Sequence, residues 1–257
     1  MKKFFAIFSL VALSLTACDK GVDTSEAKGE GSVAFKVGET TEVVETRANV
    51  SCTTPAAEDF SLRIEGVDAT YAADYDNITI FNENNYLVAG TYKAIVAAGD
   101  VKEEGYDKAA FVGSEEFAVE ARKHTDVEIT ATIANALVKV EVTEAFTNYF
   151  VGGYSLKLTT AAGNEFDVTE QTEPLFIAPG AFTVSGSAIK QPNQSGKDGV
   201  EVTLPEYKND SAVAQTLYTV TLDVENVGQA TLTITLHDTL VESIDIEQEL
   251  NDNAEEA

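Results

Sequence analysis

The strongest constraint on the fold is a segment that the chain contains twice. Leu87-Val88-Ala89-Gly90-Thr91-Tyr92-Lys93-Ala94-Ile95 is echoed by Ile177-Ala178-Pro179-Gly180-Ala181-Phe182-Thr183-Val184-Ser185. In each copy a small or Pro/Gly pair turns the backbone, and an aromatic two places after the Gly opens a strand. Gly supplies the torsions a turn needs, and the aromatic supplies buried area on the core face. The other strands pair off from these anchors.

The first set begins at Ser32, where Val33, Phe35 and Val37 alternate with Ala34 and Lys36. Phe60 to Ile64, Glu116 to Ala121 and Val127 to Ile133 share that period of two, and two further strands are expected near Tyr71 to Phe81. In the second set Val138 to Val142 answers the first strand and Tyr154 to Leu158 answers Phe60 to Ile64. Tyr218 to Val224 and Ala230 to Leu236 follow, and Val241 to Leu250 is a last alternating strand. Such alternation marks strands with one buried face. Short strands separated by turn signals, in the same order twice, predict an all-β chain of two tandem β-sandwich domains, Ig-like or transthyretin-like. The first spans 32–134 and the second 135–250, meeting near Asn135 with almost no linker, and 251–257 form an acidic tail.

The copies differ in their loops. Val33 to Phe60 spans 27 residues and Val138 to Tyr154 only 16, so the first copy carries an excess of eleven within Gly38 to Asp59. The second has its own polar insertion at Gln191 to Ser211. Loops carry function more often than strands, so binding is sought there first.

Met1-Lys2-Lys3 followed by the apolar run Phe4 to Leu15 reads as a signal peptide, 1–17, too short to span a bilayer. Leu15-Thr16-Ala17-Cys18 resembles the lipobox of bacterial lipoproteins, in which the Cys thiol accepts a diacylglyceryl group before cleavage. That resemblance implies lipidation at Cys18, and several acyl chains on one residue anchor durably. Residues 18–31 are polar and Gly-containing and read as a lipidated flexible stalk. Acidic residues after the Cys resemble the surface-export signals of Bacteroidota lipoproteins, although Lys20 and Gly21 interrupt the run. The expected location is the outer membrane, with the outward face favoured over the periplasmic one.

The net charge of -26 becomes -28 once Lys2 and Lys3 are removed. Such a surface repels phosphate backbones and argues against nucleic-acid partners. With Cys18 lipidated, Cys52 has no intramolecular disulfide partner and no His nearby in sequence; it reads as an inert thiol.

Catalytic and metal chemistry find little support. His124 and His237 are the only histidines, and no Gly-x-Ser-x-Gly elbow is present. Asp74-Tyr75-Asp76-Asn77 has spaced carboxylates, but Ile78 and the missing turn Gly break the calcium-loop pattern. No enzyme activity, cofactor or metal is expected. Asp210-Ser211-Ala212 and Asp238-Thr239-Leu240 resemble the Asp-Ser/Thr-apolar acceptor of Bacteroidota O-glycosylation, implying Ser211 and Thr239 as acceptors. Tyr149, Phe150 and Tyr154 are candidate exposed aromatics for glycan contact, with core packing as the alternative.

The chain resembles a Bacteroidota lipoprotein family, the domain of unknown function 4493. The lipobox, Gly31 to Phe35, Thr46-Arg47-Ala48, Asp59 to Leu62, Ala89 to Tyr92, Gly105 to Lys108, Phe111 to Ser114 and Ala134 to Val140 carry the resemblance. More distantly it is similar to fimbrillins, the pilus subunits in which an Arg-directed protease cuts after the first strand and another subunit's strand fills the groove. That likeness implies Arg47 as the processing residue and Ala48 as the new N-terminus. Two functions remain open: a lipid-anchored surface module for adhesion, assembly or glycan contact, and a fimbrillin-like subunit or pilus anchor. Implied partners are the membrane, other envelope or pilus proteins, and glycans.

Overall fold

The computed structural model describes residues 29–41, 50–67, 70–190, 199–226, 229–236 and 244–249. The first half builds β1 (Glu30–Thr40), β2 (Ser61–Gly66), β3 (Ala72–Tyr75), α1 (Ile78–Glu83), β4 (Tyr86–Val88), β5 (Gly90–Ala98), β6 (Phe111–Val119) and β7 (His124–Ile133). They form one sheet in the order β3-β2-β5-β6-β7-β1-β4. A close crossing folds that sheet over. β6 and β7 share only the pairs Phe111–Ile133 and Val112–Thr132. A Cβ on Gly113 would stand 2.6 Å from the Thr130 carbonyl oxygen, so only glycine lets β6 pass this close to β7. Beyond the corner, β3-β2-β5-β6 faces β7-β1-β4. Phe35 of β1 meets Phe117 of β6 edge-on, ring centroids 5.3 Å apart.

The second half comprises β8 (Ala136–Val142), α2 (Glu144–Tyr149), β9 (Tyr154–Thr160), β10 (Glu165–Asp167), β11 (Leu175–Ile177) and β12 (Gly180–Ile189). It continues with β13 (Glu201–Thr203), β14 (Tyr207–Ala212), β15 (Leu217–Asn226), β16 (Gln229–Leu236) and β17 (Ile244–Glu249). One sheet runs β10-β9-β12-β13 with β14 also on β12, and the other runs β11-β8-β15-β16-β17. Val138, Val140 and Val220 of one sheet and Leu156, Leu158 and Phe182 of the other belong to a single buried cluster. Sequential β strands carrying apolar residues on alternate positions can bury them only against a second layer, and the fold is all-β and sandwich-like.

The pairing scheme recurs between halves. β1 lies parallel to β7, and β8 lies parallel to β15. β4 pairs with β1 as β11 pairs with β8, and β2–β5 corresponds to β9–β12. The duplicated segments open β5 and β12, and their aromatics Tyr92 and Phe182 are both buried. The turn glycines are not equivalent. Gly180 sits at φ +151°, where an L side chain is strained, whereas Gly90 is not at positive φ.

Three expectations change. Only β3 is a strand between Tyr71 and Phe81; residues 78–83 are α1, whose Asn77 side chain accepts from the Thr79 and Ile80 amides at 3.0 and 3.1 Å. That cap satisfies the free amides of the first turn and turns Ile78 and Phe81 onto the core. The stretch expected as Glu116 to Ala121 runs instead from Phe111 to Val119. Of the insertion read over 191–211, residues 191–198 lie outside the described residues, and 201–203 and 207–211 form β13 and most of β14 rather than loop.

Candidate binding site

Segment 99–110, between β5 and β6, binds the two halves together. The Glu104 carboxylate accepts from the Thr160 hydroxyl at 2.7 Å, the Asn164 amide at 2.7 Å and the Ala178 N–H at 3.0 Å. Gly105 and Phe176 exchange backbone hydrogen bonds at 2.9 and 3.0 Å, extending the second half's ladder by one residue of the first. Leu137 and Phe176 of the second half pack into the first half's apolar cluster. Asn135 is fully buried, and its side-chain oxygen accepts the Ala110 N–H at 2.6 Å. On the outer side, Asp107 accepts from the Thr53 N–H and hydroxyl at 2.9 and 3.0 Å, and these bonds hold its carboxyl below the usual range. Cys52 beside it is half-buried, and burial first, then the Asp107 charge, pushes its thiol up. A raised thiol pKa is the inert direction.

This clamp places Tyr106 at the mouth of a cleft of about 670 Å³, lined also by Tyr154, Ser155, Asp167, Glu170 and Glu173. Tyr106 is 42% exposed, and its hydroxyl reaches the Asp167 carbonyl oxygen at 3.3 Å. Burial, and then the Asp167 charge, raises the Tyr106 phenol. Asp167 is itself held down by the Thr169 N–H, 2.9 Å away, so it stays ionised. Tyr154 is fixed edge-on against Phe146, centroids 5.3 Å apart.

A second groove, of about 780 Å³, follows the outer edge of β4. Tyr71, Tyr86, Val88 and Tyr92 line it, with Tyr86 64% exposed. The Tyr92 hydroxyl donates to the Val88 carbonyl at 2.7 Å, and Tyr71 packs edge-on against Tyr92. Burial, with Tyr75 beside it, carries the Tyr71 phenol far above its usual range. β4 ends its sheet, and large apolar groups on an open sheet edge are the ordinary material of a contact surface.

Of the residues singled out in the sequence, Cys18, Arg47, Ala48, Thr239 and His237 lie outside the described residues. Ser211 is exposed, but in strand β14 rather than in a loop. Tyr149 and Phe150 are buried with Phe146 in an aromatic cluster, so of the three candidate aromatics only Tyr154 borders a cleft. A chain of local apolar and aromatic residues around α2 covers the sandwich, which outweighs any surface role. Tyr106 was not singled out for contact; its signal was the preceding Gly105. Asp74 is taken up by a two-oxygen pair with Arg63 at 2.9 and 3.0 Å, and Asn77 by its cap. His124 has Ser32 Oγ 2.8 Å from Nδ1 and Asp126 3.4 Å from Nε2. Ser32 and His124 are register partners on the β1–β7 ladder, which accounts for this contact as cross-strand pairing.

A folded-over sheet followed by a sandwich, with tyrosines on its edge and at its junction, defines an all-β protein with surface clefts. The chain belongs to the family described as domain of unknown function DUF4493, whose match covers residues 29–252. No curated protein matches it. Among solved structures it is similar to a candidate cell adhesion protein of Bacteroides eggerthii, at 10% identity over 86% of this chain and 94% of that one, TM-score 0.43. A candidate cell adhesion protein of Bacteroides ovatus matches at 10% identity over 84% and 100% of the chains, TM-score 0.40. A candidate polysaccharide-binding protein of Bacteroides thetaiotaomicron matches at 10% identity over 82% and 99%, TM-score 0.36.

Proposed function

We propose that this protein is a non-catalytic, lipid-anchored binding module of the outer membrane, displayed outward and making contacts for adhesion, assembly or glycan recognition. Lipid on Cys18 holds it, the expected stalk 18–31, whose last two residues Glu30 and Gly31 already pair with β4 as the start of β1, spaces it from the bilayer, and two modules, 32–134 and 135–250, carry the contacts. The observation that supports the reading best is the tyrosine groove on the open edge of β4, where Tyr86 and Val88 remain exposed beside a shaped cavity. Exposed aromatics in a concavity supply contact area at low conformational cost. Ser211 on β14 is the acceptor available for O-glycosylation, with Thr239 as the second.

A fimbrillin-like subunit or anchor is the alternative, and β1 favours it. That strand sits between β7 and β4 and fills the core with Val33 and Phe35. Cleavage after Arg47, with loss of β1, would open a groove floored by Phe81 and Phe117, onto which a foreign strand could add. Protease treatment of intact host cells tests the main reading. Loss of the protein without opening the outer membrane supports outward display; protection until the membrane is opened overturns it.

A further inference from the structure

We infer that the cleft between Tyr106 and Tyr154 is a subsite for a neutral saccharide; this rests on the binding-module reading and names a ligand class for a second place on it. A volume of about 670 Å³ lies within the range of small-ligand clefts, roughly 300–1,000 Å³. Both rings are fixed before any ligand arrives, Tyr154 by Phe146 and Tyr106 by its bond to the Asp167 carbonyl and by the Gly105–Phe176 bridge behind it. Rings already held in place lose little freedom on binding. A pyranose offers an apolar C–H face to such rings and hydroxyls around its rim.

The polar lining selects among ligands. Gln171 is committed to β8, donating to the Val138 carbonyl at 2.9 Å and accepting the Val140 N–H at 2.7 Å. Thr169 is committed to Leu156 of β9. Asp167, Glu170 and Glu173 present carboxylates, which accept and never donate when ionised, and Ser155 and Thr172 present hydroxyls, which do both. Sugar hydroxyls match that set, and their bonds to carboxylates are charge-assisted. Phosphates, sulfated sugars and uronates meet like charge. A basic side chain would find carboxylates exposed to salt, where ion pairs contribute little. The neutral saccharide satisfies both halves of the lining.

The test is a binding screen of the intact chain against neutral oligosaccharides, polyuronates and Lys/Arg-rich peptides, followed by calorimetry on the strongest binder. Expected is a neutral oligosaccharide whose affinity falls about tenfold or more in Tyr106→Ala, and falls less in Tyr106→Phe, which keeps the ring and loses only its bond to the Asp167 carbonyl, and less in Tyr86→Ala. Near-ultraviolet circular dichroism of Tyr106→Ala should match the parent apart from the lost ring, because the residue is exposed. Neutral-sugar binding that Tyr86→Ala abolishes and Tyr106→Ala spares would move the ligand to the β4 groove and overturn this site, leaving the surface-module reading intact. Capture of basic peptides or polyuronates in place of neutral sugars would overturn the ligand class. No saccharide binding at millimolar concentration would overturn the inference outright, while cell-surface proteolysis would still decide the broader function.

Discussion

Replacing Glu104 by Ala should loosen the joint between the halves. Its carboxylate holds three donors from the second half: the buried Thr160 hydroxyl, the half-buried Ala178 N–H and the exposed Asn164 amide. A hydrogen bond to a charged acceptor contributes about 1.5–3 kcal/mol, but an exposed donor recovers most of that from water. Asn164 therefore counts for little, and the other two set an expected loss of about 2–3 kcal/mol. For a chain of this size that is a fall of roughly 5–10 °C in melting temperature. Urea unfolding followed by circular dichroism measures it. Glu104→Gln, which keeps an acceptor but presents an amide N–H₂ to a donor, should recover about half the loss. A Glu104→Ala, Thr160→Val cycle should show coupling of about 1 kcal/mol. A loss under about 0.5 kcal/mol, or zero coupling, would refute the clamp.

Other consequences are separable. Gly113→Ala puts a Cβ into the Thr130 carbonyl and Ala131 Cα, both backbone, and should cost about 1–3 kcal/mol by urea unfolding; a neutral substitution would mean that β6 does not cross β7 so closely. Asp107 has its folded carboxyl below the unfolded value, so its hold on Thr53 is present above the ordinary carboxylate range and lost as pH falls through the folded value. The Thr53 amide resonance should accordingly titrate with a midpoint below about 3.9, and a midpoint at or above it contradicts the paired geometry. Asn77→Ala removes the cap of α1 and should cost about 1 kcal/mol, read from thermal unfolding.

Much of the architecture was legible because strands with one buried face must alternate, as Val33, Phe35, Leu62, Ile64, Leu156 and Leu158 do. The duplicated Gly-x-aromatic likewise marked two equivalent strand starts with buried rings. α1 was hidden because Ile78 and Ile80 mimic alternation; Asn77 ahead of them was the available signal. β14 was hidden because its ladder with β12 shifts register between Gly180 and Phe182, leaving only Tyr207 and Ala212 buried, at a spacing foreign to period two. The parallel pairing of β1 with β7 depends on contacts across ninety residues, which local pattern cannot encode. The clefts were least legible. Tyr106 and Tyr154 are 48 residues apart and line one cleft where Gly105 docks on Phe176 and Tyr106 reaches Asp167.

The most direct measurement of the central claim is the intact mass and N-terminal residue of the protein taken from membranes of its own host. A chain that begins at a triacylated or diacylated Cys18 is the result expected of a tethered surface module with β1 in place. A chain that begins at Ala48, and migrates as heat-labile ladders, would contradict it and make the protein a strand-exchanging pilus subunit.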